Sequence, residues 1–243
     1  MKIGVAQIET LTGDFNYNFN IHEKCVRLAH DIGVDSLIFP ELSITNYNSL
    51  RAKELAFDLD DSRFSIIQSW SDQMSISISL GAPIRTDAGV WISSVIFQPG
   101  QDKKMISKEH LHGDEIEFFL PAVNEKRTFG SENKVGVVIC YEISIPHHLS
   151  TVMSEGPEVM VASVAKYENS IEKSYQILSG FSRENEVWTM MSNSVGDADG
   201  KPCAGQSAIW DRKGNLLLSL DDKSDGLLTL NTKTGEAQSH LLK

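Results

Sequence analysis

The sequence has no C-x-x-C pair, no apolar run of membrane-spanning length and no excess of basic residues. Each absence removes a class of protein. Three cysteines, Cys25, Cys140 and Cys203, are scattered over 243 residues; so odd and sparse a set builds no disulfide framework and fits a reducing compartment. The N-terminal stretch MKIGVAQIET reaches Glu9 before a signal-length apolar region develops, and no later run approaches the length of a bilayer span. A soluble, cytoplasmic protein without membrane partners is expected. The formal net charge of −11 argues against a nucleic-acid partner, which requires a basic field. There is neither a G-x-G-x-x-G after an initial strand nor a G-x-x-x-x-G-K-S/T loop, so no nucleotide site is expected.

What is present reads as one layered α/β domain spanning residues 1–243, since a chain of this length builds one large core and no linker or repeat divides it. KIGVAQI is a compact buried strand. Ile21, Cys25, Leu28, Ala29 and Ile32 recur at helical spacing, which makes Cys25 a core residue. VDSLIFPE is a short strand that ends at Pro40 and places Glu41 just beyond it. A second helix is expected over Ser62–Met74, and ISISLGAPI and VWISSVIFQPG read as adjacent strands. KKMISKEHLHGDEIEFFLPA breaks this rhythm; its charged content implies solvent or a polar cleft. Later come strands at KVGVVIC, within SEGPEVMVASVA and at VWTMMSNS, with helices around His148–Ser154 and over SIEKSYQILSGFSRENE. The tail holds two strands about a DRKG turn and a third at DGLLTLN.

Cys140 ends a strand, where a loop exposes a side chain that the scaffold holds in place. Alone, a cysteine in such a run is ordinarily inert packing. A nucleophilic cysteine needs an acceptor for its proton and positive charge nearby. Glu41 and Lys108 each stand directly after a strand-like run, as Cys140 does.

FPE at Phe39–Glu41, KEHL at Lys108–Leu111 and VICYE at Val138–Glu142, in that order, resemble the base, lysine and nucleophile segments of the carbon–nitrogen hydrolase family, also called the nitrilase superfamily. SRENEVWTMMSNSVG (182–196) and GQSAIWDRKGN (205–215) extend the resemblance over nearly the whole chain. It implies a four-layer α-β-β-α sandwich with two central mixed sheets, commonly paired as a homodimer or larger homo-oligomer through a helical face. It also implies a cofactor-independent amidase that hydrolyses a small linear carboxamide through a Cys140 thioester. Glu41 would be the base, Lys108 would stabilise the oxyanion with help from the Tyr141 backbone N–H, and Glu115 would position lysine and substrate, with Glu117 as its nearby competitor. A carboxylated ω-amide and an N-carbamoyl compound both remain open as substrates. So do nitrile hydrolysis and a non-catalytic binding protein on the same scaffold.

The chain also departs from the family pattern. Glu142, Ser144 and His147 stand where many relatives have aspartate, arginine and glutamate, and a tryptophan often found after the next strand is missing, so Ala165, Lys166 and Tyr167 are expected to shape an altered pocket. His110, His112, His147 and His148 make no zinc pattern, even with Glu142, and are expected to hydrogen-bond or face solvent. Arg183 and Glu184 are assigned structural contacts. Asn193 either supports the pocket or caps backbone groups.

Overall fold

The computed structural model describes residues 1–130 and 134–242. The strands of its first half are β1 (Lys2–Gln7), β2 (Ser36–Ile38), β3 (Ser77–Arg85), β4 (Val90–Phe97) and β5 (Lys104–Ser107). They are followed by β6 (Thr128–Phe129), β7 (Val135–Ile139), β8 (Val159–Val164), β9 (Trp188–Asn193), β10 (Asp197–Ala198) and β11 (Lys201–Pro202). The tail adds β12 (Ala208–Trp210), β13 (Leu216–Ser219), β14 (Gly226–Asn231) and β15 (Ala237–Leu241). Helices are α1 (Phe15–Asp31), α2 (Ala52–Leu55), α3 (Phe64–Met74), α4 (Pro146–Ser154) and α5 (Glu168–Asn185), with a 3₁₀ turn over Cys140–Ser144.

Seven strands in the order β15-β14-β1-β2-β3-β4-β5 form one sheet, six in the order β13-β12-β9-β8-β7-β6 form the other, and β10 and β11 make a separate hairpin. Both sheets are mixed. β1, β2 and β3 run parallel, as do β7, β8 and β9, with antiparallel strands on their flanks. The central strands VGVVI and VMVASV are rich in β-branched residues and buried throughout, because each is covered on both faces.

Three apolar clusters define the four layers. Ile3, Val5, Val135, Val137 and Met190 meet between the sheets. Cys25, Val26, Phe64 and Ile67 pack α1 and α3 on the outer face of the first sheet, and Leu149, Val152, Leu178 and Phe181 pack α4 and α5 on that of the second. Helix α1 starts where the Asp14 carboxylate accepts the Tyr17 N–H at 3.0 Å, an N-cap that satisfies an otherwise orphaned donor. Cys25 is fully buried on its inner face, as the spacing predicts. The sandwich and its main elements match the expectation; the short β6, the β10–β11 hairpin, α2 and the edge strand β15 have no counterpart in it.

Candidate active site

Strand direction explains why residues 67 positions apart share one edge. β3 runs parallel to β2, and two antiparallel steps through β4 restore that direction in β5, so Glu41 and Lys108 leave the same end of the sheet. Yet β2 and β5 lie three strands apart, about 14 Å at the usual spacing. The turn carrying Glu41 closes the distance by leaning across β3 at Gly81. A Cβ at Gly81 would lie 2.2 Å from the Pro40 carbonyl oxygen and 2.5 Å from the Leu42 nitrogen, so only glycine admits the crossing. Within the turn Leu42 and Asn46 take φ of +51° and +62°, and the Ile44 N–H donates to the Gly81 carbonyl at 3.0 Å. Lys108 is fixed by its own backbone, its N–H donating to Ile92 O at 2.8 Å and its carbonyl accepting from Ala122 N–H at 2.9 Å.

Cys140 emerges from β7 in the other sheet with φ of +46°, left-handed backbone that costs a non-glycine residue about 1 kcal/mol or more. The next residues close a 3₁₀ turn that holds it there. Glu142, 2 % exposed, is the pin. One of its oxygens accepts the Ile139 N–H at 2.8 Å; the other accepts the N–H groups of Glu109 at 2.6 Å and His110 at 3.3 Å. One side chain thus binds the Cys140 strand of one sheet to the lysine segment of the other.

Three charged side chains converge without solvent. Lys108 Nζ donates to Glu41 Oε1 at 2.7 Å and to Glu115 Oε1 at 2.6 Å, and Lys108 has no exposed surface. Glu115 also accepts from the Tyr47 hydroxyl at 2.7 Å and the His112 N–H at 2.7 Å. Glu115 is therefore the buried carboxylate beside the lysine, whereas Glu117 is exposed. Burial opposes the charge on Lys108, but Glu41, Cys140 and Glu115 outweigh it and hold the ammonium above the usual lysine range. For Glu41 desolvation prevails over Lys108 and raises the carboxyl pKa. Burial, then the Glu41 charge, push the Cys140 thiol up to about 11, against the pull of Lys166 and Lys108. The Cys140 thiol thus rests beside the Glu41 carboxyl, whose Oε2 has no nitrogen or oxygen hydrogen-bond partner among the described residues.

Above the thiol opens a cavity of about 300 Å³. Glu41, Cys140, Tyr141, Ala165 and Lys166 line it, together with Tyr47. Lys108 meets it through its two carboxylates, and Glu142 lies behind the wall.

The family described as carbon-nitrogen hydrolase matches the chain over residues 2–239. The chain belongs to that family. Among curated carbon-nitrogen hydrolase relatives it resembles an (R)-stereoselective amidase of Pseudomonas sp., 24% identical over 219 residues that cover 89% of this chain and 80% of that protein. It also resembles a nitrilase of Pyrococcus abyssi, 23% identical over 223 residues covering 89% and 84%. Among solved structures, the amidase of Nesterenkonia sp. AN1 in complex with butyramide superposes with a TM-score of 0.84 at 18% identity, over 94% of this chain and 89% of that one. A variant of the same amidase that shows covalent addition of the acetamide moiety of fluoroacetamide at the active-site cysteine gives the same values.

Around this carbon-nitrogen hydrolase site several residues escaped the sequence reading. Tyr47 follows the Glu41 turn in a polar loop, with no periodicity to mark it. Asp199 and Lys201 reach the cavity on the β10–β11 hairpin, whose two-residue Asp199-Gly200 turn has φ of +55° and +75°. That Asp-Gly pair is an overlooked hairpin signal. Asn193 is resolved as a backbone cap: its Oδ1 accepts the Lys166 N–H at 2.7 Å, and its Nδ2 donates to Lys166 O at 3.2 Å and Gly205 O at 2.6 Å.

The histidines divide. His147 is exposed and His148 is 3 % exposed, so the two take the two alternatives expected of them, one facing solvent and one held among polar groups. Glu109, His110 and His148 each offer a donor atom within 4.8 Å of the others. Glu109, however, is committed to Arg127 at 2.6 Å and to Asn124 Nδ2 at 2.9 Å, and His148 sits between Glu109 at 3.4 Å and Glu142 at 3.3 Å. The guanidinium neutralises the only carboxylate of the set, which makes the cluster a polar brace behind Lys108.

Proposed function

We propose that this carbon-nitrogen hydrolase is an amidase that hydrolyses small linear carboxamides through a Cys140 thioester. The observation that carries the reading is the convergence of a thiol, an unengaged carboxylate oxygen and a buried ammonium at the floor of one small cavity. Glu41 takes the Cys140 proton as sulfur bonds to the amide carbon. The resulting oxyanion is met by Lys108 and, at the start of the 3₁₀ turn, by the Tyr141 N–H, whose place in the first turn leaves it without an intrahelical acceptor. Glu41 returns its proton to the departing nitrogen as the C–N bond breaks, releasing ammonia or an amine. Water then adds to the thioester, giving a proton to Glu41; the C–S bond breaks, the carboxylic acid leaves and the thiolate regains its proton. Glu115 and Tyr47 hold Lys108 in register throughout.

The Pseudomonas and Nesterenkonia amidases support amide over nitrile as substrate, and the Pyrococcus nitrilase keeps the second reading in play. Paired butyramide and butyronitrile assays decide: ammonia and butyrate from the amide, with the nitrile at least tenfold slower, are expected. Nitrile turnover that exceeds amide turnover would overturn the assignment. No ammonia from either, with Cys140 still unreactive toward fluoroacetamide, would favour the binding-protein reading.

The same reading makes the enzyme a cytoplasmic homodimer or larger homo-oligomer that needs no cofactor. Three free thiols support the reducing compartment, and no described helix is long and apolar enough to cross a membrane. A groove between α4 and α5, lined by Leu149, Ile177 and Phe181, is consistent with self-association through a helical face. Light scattering tests it.

A further inference from the structure

The buried ammonium of the site is set by a chain of contacts that begins outside the cavity. Lys108 Nζ and the Tyr47 hydroxyl donate to the same oxygen, Glu115 Oε1, at 2.6 and 2.7 Å. Where the hydroxyl stands therefore decides where that oxygen, and the ammonium bonded to it, can stand. Tyr47 itself lies in neither helix nor strand. Its backbone is held instead by two neighbours: the N–H donates to Asn46 Oδ1 at 2.7 Å, and the carbonyl accepts the Asp199 N–H at 2.8 Å. The Asn46 amide also reaches the β10–β11 hairpin, donating from Nδ2 to Asp197 O at 2.7 Å. That hairpin seats the phenol ring, since Ala198 and, just beyond β11, Cys203 pack against Tyr47. Asn46 is 6 % exposed, and its φ of +62° is left-handed backbone that asparagine tolerates better than most residues. Both polar atoms of its amide are engaged in placing Tyr47 and the hairpin beneath it, and the side chain does not line the cavity.

We propose that Asn46 is a positioning residue for the reaction, fixing Tyr47 so that its hydroxyl sets Glu115 and, through it, the Lys108 ammonium that meets the oxyanion, an inference that rests on the amidase reading above. A displaced ammonium keeps its ion pairs but loses alignment with a charge that develops only in the transition state. The loss then falls on kcat and leaves KM nearly unchanged.

The test uses butyramide with the intact protein and its Asn46→Gly, Asn46→Asp and Tyr47→Phe variants, and with Asn46→Gly and Tyr47→Phe combined. Glycine keeps the left-handed backbone and removes both contacts. Aspartate keeps the acceptor for the Tyr47 N–H and removes only the donor to Asp197 O. Asn46→Gly is expected to lower kcat about tenfold, the scale of one lost hydrogen bond, with KM within about twofold. Asn46→Asp should recover to within about threefold of normal, because the contact to Tyr47 survives. In Tyr47→Phe no hydroxyl remains to be placed, so adding Asn46→Gly should change kcat by less than about twofold.

A second readout needs no turnover. The Lys108 charge draws the Cys140 thiol pKa down, so the pH midpoint of Cys140 alkylation by iodoacetamide should shift in Asn46→Gly and stay fixed when the same change is made in Tyr47→Phe. Equal loss of kcat from Asn46→Gly with and without the Tyr47 hydroxyl overturns the inference. So does a folded Asn46→Asp as impaired as Asn46→Gly, which would assign the amide to the hairpin alone. Should Asn46→Gly fail to fold, Asn46→Asp decides: kcat within about threefold of normal upholds the role, and a loss of about tenfold ends it. An alkylation shift without any amide turnover would keep the placement of Lys108 and sink the amidase. Amide turnover indifferent to Asn46→Gly would do the reverse.

Discussion

Replacing Glu41 by glutamine separates two jobs of one carboxylate. The Glu41→Gln side chain is isosteric, and its remaining oxygen still accepts from Lys108 Nζ, now at 2.7 Å from Glu41 Oε1, so the fold should persist. What is lost is the buried oxygen that has no nitrogen or oxygen partner among the described residues and is free to take a proton. General-base removal costs about 10²- to 10⁴-fold in rate, or about 3 to 5 kcal/mol of transition-state stabilisation. The thiol should move the other way. Glu41's charge is, after burial, the main influence that raises Cys140 to about 11, so neutralising it lets the thiolate form at lower pH. Ammonia release and the pH dependence of Cys140 alkylation by iodoacetamide read the two effects: turnover collapses while the alkylation midpoint falls below that of the intact protein. Turnover within tenfold of normal, or a midpoint that climbs, would refute the assignment of Glu41 as base.

Lys108→Met strips the cation from between Glu41 and Glu115 and strands buried carboxylates; a loss of about 3 to 5 kcal/mol in urea denaturation is expected, with turnover reduced at least 10²-fold. Glu142→Ala removes the acceptor of three backbone N–H groups and should lower stability by about 3 kcal/mol, seen as a reduced urea midpoint with unchanged slope. His22 is buried, its ring at 3.0 Å from Ser43 Oγ in the Glu41 turn, and desolvation lowers its pKa to about 4. The unfolded chain therefore binds more protons between the ordinary 6.5 and about 4, so stability is full above that window and falls through it by about 3 kcal/mol. Urea titrations at pH 7 and pH 4 check this, and His22→Gln should flatten the dependence.

Glu41, Lys108 and Cys140 were legible chiefly through the resemblance of FPE, KEHL and VICYE to family segments; local pattern showed only that each follows a short apolar run. Periodicity likewise placed α1, α3 and α5, whose inner faces are continuous. The rest depended on contacts distant in sequence. Nothing local tells that Glu142 points backward into the gap between sheets, that His148 is buried between two carboxylates, or that Tyr47 holds Glu115 across 68 residues. β15 was missed because an exposed edge strand, AQSHL, lacks an apolar alternation, and β6 is too short to show one. Lys166 was visible as a residue out of pattern, but that Asn193 clamps its backbone on both sides appears only in the fold.

The pin formed by Glu142 has a consequence for how the protein fails. Because nucleophile and lysine belong to different sheets yet share one carboxylate, prying the layers apart by even a water's width severs that bond before either sheet melts. Heat inactivation should then coincide with separation of the two sheets and precede the melting of either, leaving no loosened form that still turns over substrate.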